Sequence, residues 1–154
     1  MKFKTAQTSW FIGGVTALLF LLAVGVPACA ADLKLEAQLI WGSNDAKSPD
    51  PSHKAVDAKV AEKLKRLPFK WTSYFEVTRK QLSVPQGGAT KVTMSKDCDV
   101  SVRNLGNSSV EVTLFGKGQP VGKFTQALPK GELLVTGGNA ANFTSWFVVL
   151  RQTD

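Results

Sequence analysis

Cysteine and histidine are almost missing from this chain of 154 residues, which has two cysteines and one histidine. That count excludes a metal centre built from several histidines or cysteines, and it excludes a disulfide-dense scaffold. No metal and no cofactor is expected. No Gly-x-Ser-x-Gly elbow supplies a nucleophile, and a Ser-His-Asp relay would have to use His53 as its base. Gly137-Gly138-Asn139 follows an apolar segment, but no helical pattern and no Lys-Ser/Thr pair comes after it. A phosphate cradle is therefore disfavoured, and a turn is expected there. No internal repeat and no low-complexity tract is evident. What is abundant is apolar: hydrophobic residues make up 44% of the chain and charged ones 20%. A wholly disordered chain is thereby excluded, because there is enough apolar material for a core.

The N-terminus has the pattern of an export signal. Lys2 and Lys4 precede an uncharged apolar run of 17 residues, Trp10 to Val26. Pro27 then leads into Ala28-Cys29-Ala30, a small-x-small cleavage site. A secretory signal over residues 1–30 is expected, leaving one β-sandwich domain over 31–154 in the periplasm or outside the cell. Two alternatives stand beside cleavage. The run is at the short edge of a bilayer span, about 17–25 residues, so it could remain as an anchor. Cys29 could carry a lipid, although proline makes Val26-Pro27-Ala28-Cys29 only a partial lipobox. Without Lys2 and Lys4, 17 basic and 12 acidic side chains remain, so the net charge falls from +7 to +5. Cys98 becomes the one remaining cysteine, which removes any intramolecular disulfide. The sequons at Asn107 and Asn142 would matter only in a eukaryotic secretory route.

Period-two alternation predicts a half-buried strand over 32–41, with Leu33, Leu35, Ala37 and Leu39 on one side and Lys34, Glu36 and Gln38 on the other. Residues 42–52 read as a loop split by Pro49 and Pro51. Val56, Val60, Leu64 and Leu67 share one face at helical spacing, which predicts a helix over 56–67 that Pro68 ends. Strands follow over 74–151. Phe75 and Val77 differ in parity from Leu82 and Val84, so a bulge or sheet switch is expected between Thr78 and Gln81. Gly106-Asn107 marks a hairpin. Trp146–Leu150 is continuously apolar, as a central strand buried on both faces would be. About eight strands at short intervals, without crossover helices, indicate an all-β antiparallel sandwich with one short N-terminal α-helix.

Val100, Val102, Asn104 and Gly106 form a V-x-V-x-N-x-G strand and turn, followed by an alternating strand and a Pro129-Lys130-Gly131 turn. This stretch resembles secreted immunoglobulin-like β-sandwich modules and covers about a third of residues 31–154. The resemblance implies a two-sheet fold. It transfers no catalytic residue.

Individual side chains narrow the chemistry. Cys98 shares the core parity of Val100 and Val102, and Asp97 and Asp99 flank it, so a buried, unreactive thiol is expected. A Cys98–His53 pair is disfavoured for the same reasons. Asn44, Asp45 and Asp50 lack EF-hand spacing and read as turn formers. The acids fall on polar faces, outside apolar stretches that would raise a pKa. Lys59, Lys63 and Arg66 stack along one helix edge at i, i+4, i+7, and Lys70 follows Pro68. Trp71 and Tyr74 come next; Trp71 and Phe75 are expected to pin the helix to the sheet. Lys59, Lys63, Arg66, Lys70, Trp71 and Tyr74 are the candidate interaction surface. Its suitable partners are an acidic polymer, anionic lipid headgroups or an acidic protein patch. Nucleic acid is disfavoured, since aromatics do not interleave with these basic residues. The expected function is an exported, non-catalytic binding module, peripheral to a membrane at most. A small secreted hydrolase using acidic residues, or an inert structural envelope protein, are the alternatives.

Overall fold

The alternating leucines of the first strand do build a strand, β1 (Leu33–Ser43), and it becomes the centre of a sheet. The computed structural model describes residues 31–140 and 143–153. The expected signal over 1–30 and the sequon residue Asn142 lie outside the described residues. After β1 come β2 (Lys54–Ala55), α1 (Ala58–Arg66), β3 (Ser73–Val84) and β4 (Ala89–Ser95). The chain continues through β5 (Cys98–Gly106), β6 (Ser109–Gly116), β7 (Gln119–Ala127), β8 (Leu133–Ala140) and β9 (Thr144–Gln152). They form two antiparallel sheets, ordered β2-β3-β1-β9-β8 and β4-β5-β6-β7. Among the described residues the chain is mostly β with one short helix, as the turn spacing implies.

Between the sheets lies one apolar layer. Leu35, Ala37, Leu82, Val84, Leu134, Val148 and Leu150 of the first sheet meet Met94, Val100, Val102, Val110, Val112 and Leu114 of the second. The first sheet also has a second buried face, and α1 lies on it. Val60 and Leu64 are fully buried there against Ile40, Leu133, Phe147 and Val149. A nine-residue helix is too short to hold itself in water, so this contact sustains it, with about 4 kcal/mol of gross burial free energy from the two side chains. The WFVVL run of β9 is buried on both faces for this reason: Val148 and Leu150 point between the sheets, Phe147 and Val149 under the helix.

The half-buried reading of β1 needs correction. Glu36 and Gln38 are 4% and 1% exposed, because α1 covers the face that alternation assigns to water. The helix itself is shorter than 56–67; Asp57 caps it and Leu67 ends it, while Val56 packs beside it without being helical. The phase break in β3 is a bulge at Val77: Leu39 pairs with Thr78 and Ile40 with Glu76. It falls just before the expected window.

Gly137-Gly138-Asn139 is not a turn but part of β8. Gly137 pairs with Phe147 and Gly138 with Trp146. A Cβ on Gly137 would fall 2.2 Å from the Trp146 carbonyl oxygen, and one on Gly138 would lie 3.2 Å from its indole. The glycines admit a close backbone approach and a large ring, a common reason for glycine within a strand.

At one end the sandwich is clamped. Asn104 is 5% exposed. Its amide group donates to the Val84 carbonyl at 3.3 Å, and its side-chain oxygen accepts from the Gly106 amide at 3.0 Å. The adjoining hairpin turns through Asn107 and Ser108, both at positive φ, as a type I′ turn requires. At the other end the sheets part, leaving a cavity of about 920 Å³.

Gly137→Ala should lower unfolding stability by about 3 kcal/mol, because overpacking here pushes against backbone. Gly122→Ala, whose Cβ would meet nothing within 4 Å, should change stability by about 0.5 kcal/mol at most. Urea unfolding of the two variants measures the contrast.

Candidate functional site

The basic helix edge is oriented by ions beneath it. Asp57 is the N-cap of α1, and its Oδ1 accepts from the Val60 amide at 3.0 Å. Its Oδ2 faces the sheet. There it accepts from Gln38 Nε2 at 3.2 Å and lies 3.4 Å from Arg79 and 3.8 Å from Arg151. Arg151 lies 2.7 Å from the Glu36 carboxylate, and Arg79 sits 3.4 Å from it. Arg79 also meets Glu76 at 2.5 Å. Gln38 gives its two amide hydrogens to Glu36 and Asp57, and its oxygen has no partner among the described residues. Gln81 donates to the second Glu36 oxygen at 2.8 Å. One capping carboxylate thus ties the helix start to β1, β3 and β9. Burial alone would raise the pKa of Asp57. The Val60 amide, the Gln38 amide and the two arginines hold it below the ordinary carboxylate value.

This arrangement bears on the hydrolase alternative. Three carboxylates do converge, but on two arginines and two glutamine amides. None of them lines the large cavity, where Asp97 is the one acid on the wall. Asp57, held below the ordinary carboxylate value in part by two guanidinium groups, is stabilised as an anion and is a poor general acid.

The six candidate residues fall into two groups. Lys59, Lys63 and Arg66 share the helix edge, with Lys70 just past its end. Lys59 Nζ donates to the Gly131 carbonyl at 2.5 Å, which holds the Lys130-Gly131-Glu132 turn beside the helix. Arg66 pairs with Glu62 on the same helix. Lys63 and Lys70 meet no acidic partner among the described residues. On the strands of the second sheet Lys91 pairs with Asp99 at 3.0 Å and Lys123 with Glu111 at 3.1 Å.

Trp71 and Tyr74 form the second group, and both are half-buried. Trp71 packs into the helix-side core over Gly42, where an added Cβ would fall 2.9 Å from its ring. Tyr74 meets Phe147 edge-on at 5.9 Å, and Phe69 stacks tilted on the same ring at 4.5 Å. Burial pushes the Tyr74 phenol up. The residues expected to pin the helix were Trp71 and Phe75. Tyr74 and Phe69 join Trp71 instead, while Phe75 pairs with Trp41 on the next strand. These rings anchor the segment after the helix and do not form an exposed stacking row.

Cys98 is half-buried on the cavity wall, and its thiol is pushed up to about 11 by burial and by Asp99. It stays protonated at neutral pH, so it is no nucleophile. His53 lines the same cavity, but its ring is already bonded to Ser48 at 2.6 Å. The buried network escaped the sequence reading because Glu36, Asp57, Glu76, Arg79 and Arg151 are scattered over more than a hundred positions. The i, i+2 pair Glu36 and Gln38 on a strand flanked by a capped helix was the one local signal.

Asp57→Ala removes the cap and the shared carboxylate, and it should cost about 2 kcal/mol. Asp57→Asn keeps a cap acceptor and should cost about half of that. The sign of the pH dependence follows from the lowered pKa. The carboxylate contribution is complete above the unfolded value of 3.8 and is lost as pH falls through the lower folded value. The wild-type minus Asp57→Ala difference, followed by unfolding from pH 7 to pH 2, should be flat and then shrink in acid.

No family model matches this chain, and no curated protein or solved structure is significantly similar to it.

Proposed function

We propose that this protein is an exported, non-catalytic binding module that holds a polyanionic component of the cell envelope along the edge of α1. The observation that carries the reading is uncompensated positive charge on a rigid support. Lys63 and Lys70 have no acidic partner among the described residues, and Lys59 and Arg66 flank them. The Asp57 network fixes the direction in which that edge points.

The choice of a polyanion over a lipid surface follows from the packing. An amphipathic helix enters a bilayer with its apolar face. The apolar face of α1 is spent on the sheet, with Val60 and Leu64 fully buried. What remains outward is charge, which supports attraction at a distance and salt-sensitive contact. Among the described residues no helix is long and apolar enough to cross a membrane. Export rests on the pattern of residues 1–30. The immunoglobulin-like resemblance contributes a two-sheet support and nothing to the site; β4 to β7 follow one another as a meander, whereas immunoglobulin modules use Greek-key connections.

The triple variant Lys63→Glu, Arg66→Glu, Lys70→Glu leaves the Lys59 tether and the buried network in place. Binding of the purified protein to immobilised polyglutamate and to heparin should weaken on the order of tenfold in the variant, and comparably in the wild type between low and high salt. The fold should be retained and the melting temperature lowered only slightly, by loss of the exposed Arg66–Glu62 pair, because the reversed charges are solvent-exposed or only partly covered. Equal binding by variant and wild type at low salt would remove the helix edge as the site.

A further inference from the structure

A second feature stands apart from the helix edge: the cavity where the two sheets part. It sits at the end carrying the β4–β5, β6–β7 and β8–β9 turns. Leu39, Trp41 and Trp146 wall it from the first sheet, and Leu114, Phe115 and Phe124 from the second. At about 920 Å³ it is near the top of the range of about 300–1,000 Å³ in which small-molecule sites fall. Leftover space of that size is foreign to an ordinary sandwich core, which packs to crystal-like density.

The opening has identifiable causes. Gly122 lies on edge strand β7, pairs with Leu114, and would place a Cβ within 4 Å of nothing. A larger side chain there would fill the space. Gly138, opposite Trp146, also lines the cavity and lets the indole lie flat along the wall.

The distribution of polar groups defines the ligand. The charged wall residues Asp97 and Lys117 are exposed, and both stand in turns at the mouth. The Lys117 amide donates to the Asp97 carbonyl at 2.9 Å, which joins those two turns. Ser95, Thr136 and Asn139 on the wall are polar but uncharged, and the half-buried Cys98 thiol beside Asp97 is protonated. The interior therefore offers contact surface without charge, and the mouth offers charges of both signs. An apolar side chain continues outward at that end: Val121, on the wall, is 56% exposed. Exposed apolar surface running into an apolar cavity marks a route for a hydrophobic ligand.

We propose that this cavity takes the hydrocarbon tail of an amphiphile and leaves its polar head at the mouth beside Lys117 and Asp97. The tail comes from a free fatty acid or from a lipid drawn out of a bilayer; its chemistry in the cavity is the same. The site is separate from the helix edge, so either assignment can fail alone.

Trp41 and Trp146 provide the readout, since both rings line the cavity. The purified protein is titrated with palmitate and, separately, with phosphatidylglycerol vesicles while tryptophan emission is followed. A saturable shift to shorter wavelength is expected with palmitate; a shift with vesicles alone assigns the tail to bilayer lipid and supports the same site. Gly122→Phe should weaken the response at least about tenfold while melting at or above the wild-type temperature, because it fills a void. If Gly122→Phe does not fold, Val121→Asp at the exposed rim tests the same route and should also weaken binding. The proposal is overturned by no emission change with either probe, by rim and cavity variants that bind as tightly as the wild type, or by a planar aromatic dye that binds and that palmitate does not displace.

Discussion

The Glu36 carboxylate, buried at the middle of a central strand, is the constraint on which the rest of the structure turns. A buried carboxylate is costly unless it is both paired and hydrogen-bonded. Here Arg151 and Arg79 supply the charge, and Gln38 and Gln81 supply hydrogen bonds. Those arginines also meet the Asp57 carboxylate, so the group that satisfies the sheet also receives the helix. Apolar burial of Val60 and Leu64 gives α1 its adhesion but little direction. The capping carboxylate supplies direction, because a hydrogen bond has a geometry and a hydrophobic contact has almost none.

That division of labour places the two candidate sites. One face of the first sheet is closed by a helix, beside which Lys63 and Lys70 have no acidic partner among the described residues. The other face meets the second sheet tightly at the end held by Asn104 and loosely at the opposite end. The same sandwich therefore presents a charged outer edge and an apolar interior opening. They are chemically unlike, and no residue is common to them. A polyanion at the first and a hydrocarbon tail at the second are compatible occupants.

Some of this was legible in the residues themselves. The parity of Val100, Val102, Val110, Val112 and Leu114 placed them in the core, because a strand has only two faces and period two is hard to mistake. WFVVL announced a strand covered on both sides. Other readings failed for physical reasons that can be named. Glu36 and Gln38 looked solvated because alternation says which residues share a face, and not whether a helix lies over it. Gly137-Gly138 looked like a turn because glycine favours turns; its use within β8 depends on Trp146, a residue eight positions away that only strand pairing brings opposite. Trp41 and Trp146 line the opening together with Gly122, a grouping that only the strand pairing brings about.

The sequence alone determined the all-β class, the short helix with its basic edge and the hairpin at Asn107. These follow from local periodicity, turn chemistry and composition, which need no knowledge of what lies across the chain. The tertiary structure decided that β1 is buried on both faces, that five scattered charged side chains form one network, and that the sheets part at one end. Each of these depends on contacts between distant segments. Their free energies come from desolvation and packing geometry, which no local pattern encodes.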